Sequence, residues 1–140
     1  MVQVREGIGL GDVFEALIVL LCLLQAKHMF ADYFLQTRSM LGGRDIYLHQ
    51  GRFLHAGVHA AGSALAFLIM GTPVMLILLV AVGEWIAHYH IDWAKGRYTA
   101  RQNLTPDDAA YWRATGVDQA LHQLTYIIML WCWLTFGIAG

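Results

Sequence analysis

The sequence predicts an all-α fold, an integral membrane antiparallel four-helix bundle with a short interfacial helix between its third and fourth spans. Three observations carry that expectation. Of the 140 residues, 58% are hydrophobic and 14% charged, against about 45–50% and 25% in an average soluble domain. The apolar residues gather into four stretches, each near the roughly 20 residues that a helix needs to cross a bilayer. The basic residues fall almost entirely between alternate stretches, as they do in multi-span proteins.

The first span covers 13–36. Residues 16–26 imitate the apolar part of a signal peptide, but Arg5 is accompanied by Glu6, Asp12 and Glu15, and the apolar run continues past Lys27 into 29–35, which reads as a retained span. The second span covers 53–70, where Gly57, Ala60, Ala61, Gly62, Ala64 and Ala66 are small enough to let helices approach and permit, without requiring, a homo-oligomer. Gly71-Thr72 is a minimal turn, which makes the second and third spans antiparallel neighbours. The third span covers 73–95 and opens on Pro73, an acceptable first helical position. Within 96–116, Thr105-Pro106-Asp107-Asp108 reads as a cap, a proline and an acidic first turn. A short helix to Ala114 is expected there, with Tyr111 and Trp112 at the membrane interface. The fourth span covers 117–138. Residues 1–140 are thus a single transmembrane domain in the lipid bilayer, with loops 37–52 and 96–116.

Those loops and their edges hold Arg38, Arg44, Arg52, Lys95, Arg97, Arg101 and Arg113, against Arg5 alone on the opposite side. The positive-inside tendency puts both loops in the cytoplasm and both termini outside, which in a bacterium is the periplasmic side of the inner membrane. The formal net charge is -1, which leaves no basic surface for nucleic acid. Cys22 and Cys132 lie inside apolar stretches without metal-ligand spacing, so neither a disulfide framework nor a zinc ribbon follows.

Ionisable residues inside spans are costly and mark function. Each span contributes a pair four residues apart: His28 and Asp32; His55 and His59; Glu84 and His88, followed by Asp92; Asp118 and His122. A step of four puts both members on one helix face. The pairs lie near the C-terminal ends of spans one and three and the N-terminal ends of spans two and four. In an antiparallel bundle those four ends meet. At 1.5 Å per residue, His28 and Glu84 lie about 13 Å, and His59 and His122 about 9 Å, below the loops.

A lone intramembrane His is more often a packing residue, but four pairs at matched depth point to metal ligation. Imidazoles mixed with carboxylates suit zinc, manganese or iron, and helix bundles build two-metal sites from facing helices. The expected ligands are His28, Asp32, His55, His59, Glu84, His88, Asp92, Asp118 and His122, holding two divalent ions. Gln36, Gln119 and Gln123 are the expected outer partners of the ligands. His90 points to another face than His88 and His49 lies in a loop, so neither is expected to ligate. Arg52 and Lys95 sit at the mouth, where they would hold a phosphate or, as ordinary positive-inside residues, reach to the headgroups.

The motifs His28-Met-Phe-Ala-Asp32-Tyr-Phe-Leu-Gln36, His55-Ala-Gly-Val-His59, Glu84-Trp-Ile-Ala-His88-Tyr-His-Ile-Asp92-Trp-Ala-Lys95 and Asp118-Gln-Ala-Leu-His122 resemble the motif series of the family termed domain of unknown function 3307. The resemblance implies a small multi-span protein of bacteria or their phages and implies no activity. The His88 to Lys95 run is similar to a phage-associated branch. There is no His-Glu-x-x-His, so a zincin protease is not expected.

Three functions remain open on the sequence. The first is a metal-dependent hydrolase of an amphiphilic substrate, a phosphoester of a lipid being one such molecule, with Glu84 or Asp118 as general base. The second is a membrane di-iron oxidase. The third is a non-enzymatic metal or proton carrier, or a phage membrane effector, although the outer halves of the spans are apolar and no inverted repeat is visible.

Overall fold

The computed structural model describes residues 9–138 and, among them, contains helices and connecting loops only. Arg5 lies outside the described residues. Helix α1 is Leu10–Tyr33, α2 is the single turn Arg38–Leu41, α3 is Gln50–Ile69, α4 is Val74–Arg101 and α5 is Ala109–Cys132. A π-helical turn, Trp133–Gly137, continues α5. Helices α1, α3 and α4, and α5 with its π-helical turn, are each long and apolar enough to cross a membrane, the architecture of a multi-pass membrane protein.

Local chemistry sets the ends. The Gly9 N–H donates to Asp12 Oδ2 at 3.0 Å where α1 begins, and the Thr37 hydroxyl accepts from the Met40 N–H to start α2. Gly71, with φ of +65°, adopts the left-handed backbone that lets α3 turn directly into α4, and Pro73 stands at the cap, one residue ahead of α4, rather than at its first helical position. Asp108 Oδ2 accepts from both the N–H and the hydroxyl of Thr105, folding 105–108 into a turn ahead of α5.

Two boundaries differ from the sequence reading by more than three residues. Helix α4 continues past Lys95 to Arg101, because residues 96–101 contain no proline and Gly96 is compatible with a helix. The short interfacial helix is not a separate element. Its residues form the first turns of α5, which runs unbroken through Gly116; one glycine costs only about 1 kcal/mol in a helix interior, less than burying the next four turns returns.

Each long helix buries one stripe with steps of three and four. The stripes are Leu20, Leu24 and His28 on α1; Arg52, His55, His59, Ser63 and Phe67 on α3; Ile77, Val80, Glu84 and His88 on α4; and Asp118, His122, Tyr126 and Met129 on α5. Helix α1 packs on α3 and α5, and α4 packs on α3 and α5, which closes a four-helix ring around these stripes. In every stripe the residues near the 70–73 turn are apolar and those near the loops are ligand types. The apolar half is one core of Leu20, Leu24, Phe67, Ile77, Tyr126, Met129, Trp133 and their neighbours. The opposite helix faces expose Phe14, Ile18, Leu65, Leu79, Ile128 and Trp131, as a bilayer-facing surface does.

The small residues of α3 divide by role. A Cβ on Gly62 would press on the Lys27 side chain at 3.3 Å, whereas one on Gly57 would meet nothing within 4 Å. Over the ligand end, the 38–49 segment closes against two glycines: a Cβ on Gly51 would collide with the Ser39 carbonyl, and one on Gly96 with the Arg44 carbonyl. The Arg52 guanidinium fastens the same segment by donating to the carbonyls of Ile46 at 2.9 Å, of Gly43 at 3.3 Å, and of Arg44.

Candidate metal centre

Five imidazoles from four helices surround two carboxylates. Around Asp32, on α1, lie His28 Nε2 at 3.2 Å, His55 Nε2 at 3.3 Å and His59 Nε2 at 3.1 Å. Around Asp92, on α4, lie His88 Nε2 and His122 Nε2, each at 3.4 Å, and the same His55 Nε2 at 3.6 Å. Two of these six contacts follow from the four-residue spacing and four join facing helices, which is how the bundle turns sequence pairs into a cluster. Two ligand atoms on one tetrahedral ion with bonds of 2.0–2.1 Å stand about 3.4 Å apart. The separations around Asp32 and Asp92 are of that size.

The rings are closely spaced, His59 and His88 with centroids 3.8 Å apart and His88 and His122 4.2 Å apart. Donor atoms group in three overlapping sets: His28, Asp32 and His59; His55, His59 and His88; and His88, Asp92 and His122. All five histidines are at most 6% exposed. His88, at the centre, has a hydrogen-bond partner for neither ring nitrogen among the described residues, and the Nδ1 atoms of His55 and His59 lack one too. Buried polar atoms are seldom left so, and a cation among the Nε2 atoms would satisfy that of His88.

The neighbours of the ligands are partly those expected. Gln119 Oε1 is 3.3 Å from His28 Nε2, and Gln36 Nε2 is 3.5 Å from His55 Nε2. Gln123 instead exchanges amide hydrogen bonds with Gln25, below the imidazole layer. The strongest orienting contact is one that sequence reasoning missed: the Tyr126 hydroxyl lies 2.7 Å from His28 Nδ1. Its signal was present, since Tyr126 follows His122 by four residues on the same face.

Glu84 and Asp118, expected among the ligands, are in none of the three donor sets. Glu84 is held by Lys27 in a buried ion pair, and the Lys27 ammonium also donates to the His59 carbonyl at 3.2 Å and lies 4.7 Å from the Tyr126 ring centre. Lys27 also went unassigned in the sequence reading; an intramembrane lysine demands an acid, and Glu84 sits at its depth. Asp118 is buried with Lys95 Nζ at 3.6 Å and His122 Nε2 at 3.8 Å. His49 and His90 lie outside the cluster, His90 bonded to the Ile86 carbonyl and near the Tyr47 hydroxyl.

A cavity of about 520 Å³ opens onto the ligands and is lined by Asp32, Gln36, His55, Asp92, Lys95 and Asp118 among others. Arg52 borders it but is 3% exposed, with its donors on the loop carbonyls. In that arrangement its guanidinium braces the loop. Lys95 and Arg44 are the other cations that line the cavity.

The comparisons bear on kinship. The sequence model of a family described as "Protein of unknown function (DUF3307)" matches residues 18–138. No curated protein and no solved structure matches the chain. The matched stretch holds all five clustered histidines, both central carboxylates, most of α1 and the whole of the other three long helices, so the chain belongs to the DUF3307 family.

Proposed function

We propose that the protein is a membrane metallohydrolase that holds two divalent ions, zinc, manganese or iron, and cleaves an amphiphilic phosphoester at the cytoplasmic face of a bacterial inner membrane. The observation that carries this reading is the pair of carboxylates, Asp32 and Asp92, each faced by three imidazole Nε2 atoms and both lining one cavity. His28, His59 and Asp32 would hold one ion, and His88, His122 and Asp92 the other, with His55 between them. Three protein ligands leave coordination positions open to the cavity, as in catalytic sites. Two ions so placed supply Lewis acidity and lower the pKa of bound water.

The chain's own groups then divide the work. Asp118 lines the cavity, and its Oδ1 lacks a hydrogen-bond partner among the described residues; it is the general base, taking a proton from the attacking water. Water oxygen bonds to phosphorus, the bond to the ester oxygen breaks, and the leaving alkoxide takes up the proton that Asp118 received from the water. Lys95 meets the phosphate. Glu84, neutralised by Lys27, serves as the floor of the site. The basic loops set the orientation, with both termini on the periplasmic side.

The test is release of 4-nitrophenolate from 4-nitrophenyl dodecyl phosphate by nanodisc-embedded protein loaded with zinc, manganese or iron. Metal-dependent release is expected, with kcat falling by about 100-fold in Asp118→Asn while metal content is unchanged. A protein that holds its metal and releases nothing with any of the three would overturn the assignment.

A further inference from the structure

A second cavity, of about 410 Å³, lies between α4 and α5 and is lined by Ile91, Ala94, Tyr98, Ala114, Val117 and Leu121, with Lys95, Arg113 and Asp118 among its other walls. Its volume is within the range of about 300–1,000 Å³ typical of small-molecule sites. Small side chains create it: Ala94 on α4 faces Ala110 and Ala114 on α5 across the gap. Val117 and Leu121 are 61% and 42% exposed, so the cleft opens sideways onto the face that the bundle turns to the bilayer.

This cleft and the cavity over the metal centre share two residues, Lys95 and Asp118, which form an ion pair at 3.6 Å. The pair is therefore the partition between a lipid-facing apolar slot and the Asp32–Asp92 cluster. The cleft's charged groups are the cations Lys95 and Arg113 and the single acid Asp118, which Lys95 offsets. An apolar slot with a cationic rim is complementary to a molecule with an acyl chain and an anionic head.

We infer that the α4–α5 cleft is the lateral entry subsite for a single-chain anionic amphiphile of the membrane, its chain along Ile91, Ala114, Val117 and Leu121 and its phosphate between Arg113 and Lys95. The inference deepens the function proposed above and rests on it for the fate of the bound molecule, but not for binding. Capture of Lys95 by the phosphate releases Asp118 from its ion pair on the side facing the metal cavity. The cleft lets the chain of such a substrate remain at membrane depth.

Binding is measured without turnover, by thermophoresis of EDTA-treated protein in dodecyl maltoside titrated with dodecyl phosphate, with 1-monododecyl glycerol and with inorganic phosphate. Dodecyl phosphate is expected to bind at least tenfold more tightly than either of the others. Arg113→Gln and Ala114→Trp are each expected to weaken it at least tenfold, and Val117→Trp serves where Ala114→Trp does not elute as folded protein. The Asp32→Asn, Asp92→Asn double variant is expected to bind dodecyl phosphate as the wild type does, so loss of the metal centre and loss of the cleft are read separately. Equal binding of monododecyl glycerol would make the slot a general lipid contact, and equal binding of inorganic phosphate would remove the chain from recognition. Unchanged binding in Arg113→Gln and in the folded tryptophan variant, or crosslinking that shows a second copy seated in the cleft, would also overturn the inference.

Discussion

Replacing Glu84 by glutamine tests how the bundle tolerates a lysine in its interior. The Lys27 side chain is 10% exposed and that of Glu84 1%, so the pair is shielded from water and from salt. Removing one member of such a pair costs about 3–5 kcal/mol, because the other charge is left uncompensated. In Glu84→Gln the amide oxygen can still accept one hydrogen bond, which recovers about 1 kcal/mol. The net expectation is a loss of about 2–4 kcal/mol in SDS-titrated unfolding followed by far-ultraviolet circular dichroism. The Lys27→Met, Glu84→Leu double variant removes both charges and fills similar volume, so its stability should lie within about 1 kcal/mol of wild type or above it. Metal content should not change in Glu84→Gln, since the carboxylate is engaged by Lys27 rather than by the imidazole cluster. A Glu84→Gln protein of wild-type stability that has lost metal would refute this reasoning and return Glu84 to the ligand set.

Two further outcomes follow from contacts around the cluster. Tyr126→Phe deletes the hydroxyl 2.7 Å from His28 Nδ1 and should lower metal affinity by about 10–100-fold in competition with a chromophoric chelator, with little loss of helicity; unchanged affinity would mean that His28 is oriented by packing alone. Gly51→Ala and Gly96→Ala each drive a Cβ into a backbone carbonyl of the 38–49 segment; each should destabilise by about 1–3 kcal/mol and speed proteolysis within that segment, and wild-type proteolysis rates in both would show that the segment does not close on the helices.

Much of this arrangement is legible in the sequence because bilayer and helix impose two simple rules. Charged groups in a span must converge on one another, and a four-residue step keeps them on one face; His28 with Asp32 and Glu84 with His88 and Asp92 therefore declare both the face and the depth of the cluster. The same rules do not rank the acids. Asp32 and Asp92 point at the imidazoles, while Glu84 and Asp118 are engaged by Lys27 and Lys95, a division that depends on helix rotation and on which cation lies opposite. Arg52 shows a similar limit: its position at the mouth was evident, but its donors went to the carbonyls of Gly43, Arg44 and Ile46 because the loop folds back onto Gly51 and Gly96. The turn at Thr105 to Asp108 was also evident, yet the helix after it did not stop at Gly116, since one exposed glycine cannot outweigh the packing of the stripe from Asp118 to Met129.

The central claim is that the imidazole and carboxylate cluster holds metal, and elemental mass spectrometry of detergent-purified protein tests it most directly, beside a His59→Ala, His88→Ala variant of matched helicity. Two equivalents of zinc, manganese or iron per chain, lost from the variant, are predicted. Protein that carries no metal as isolated and takes up none on titration would contradict the account and leave the five histidines as a buried polar network.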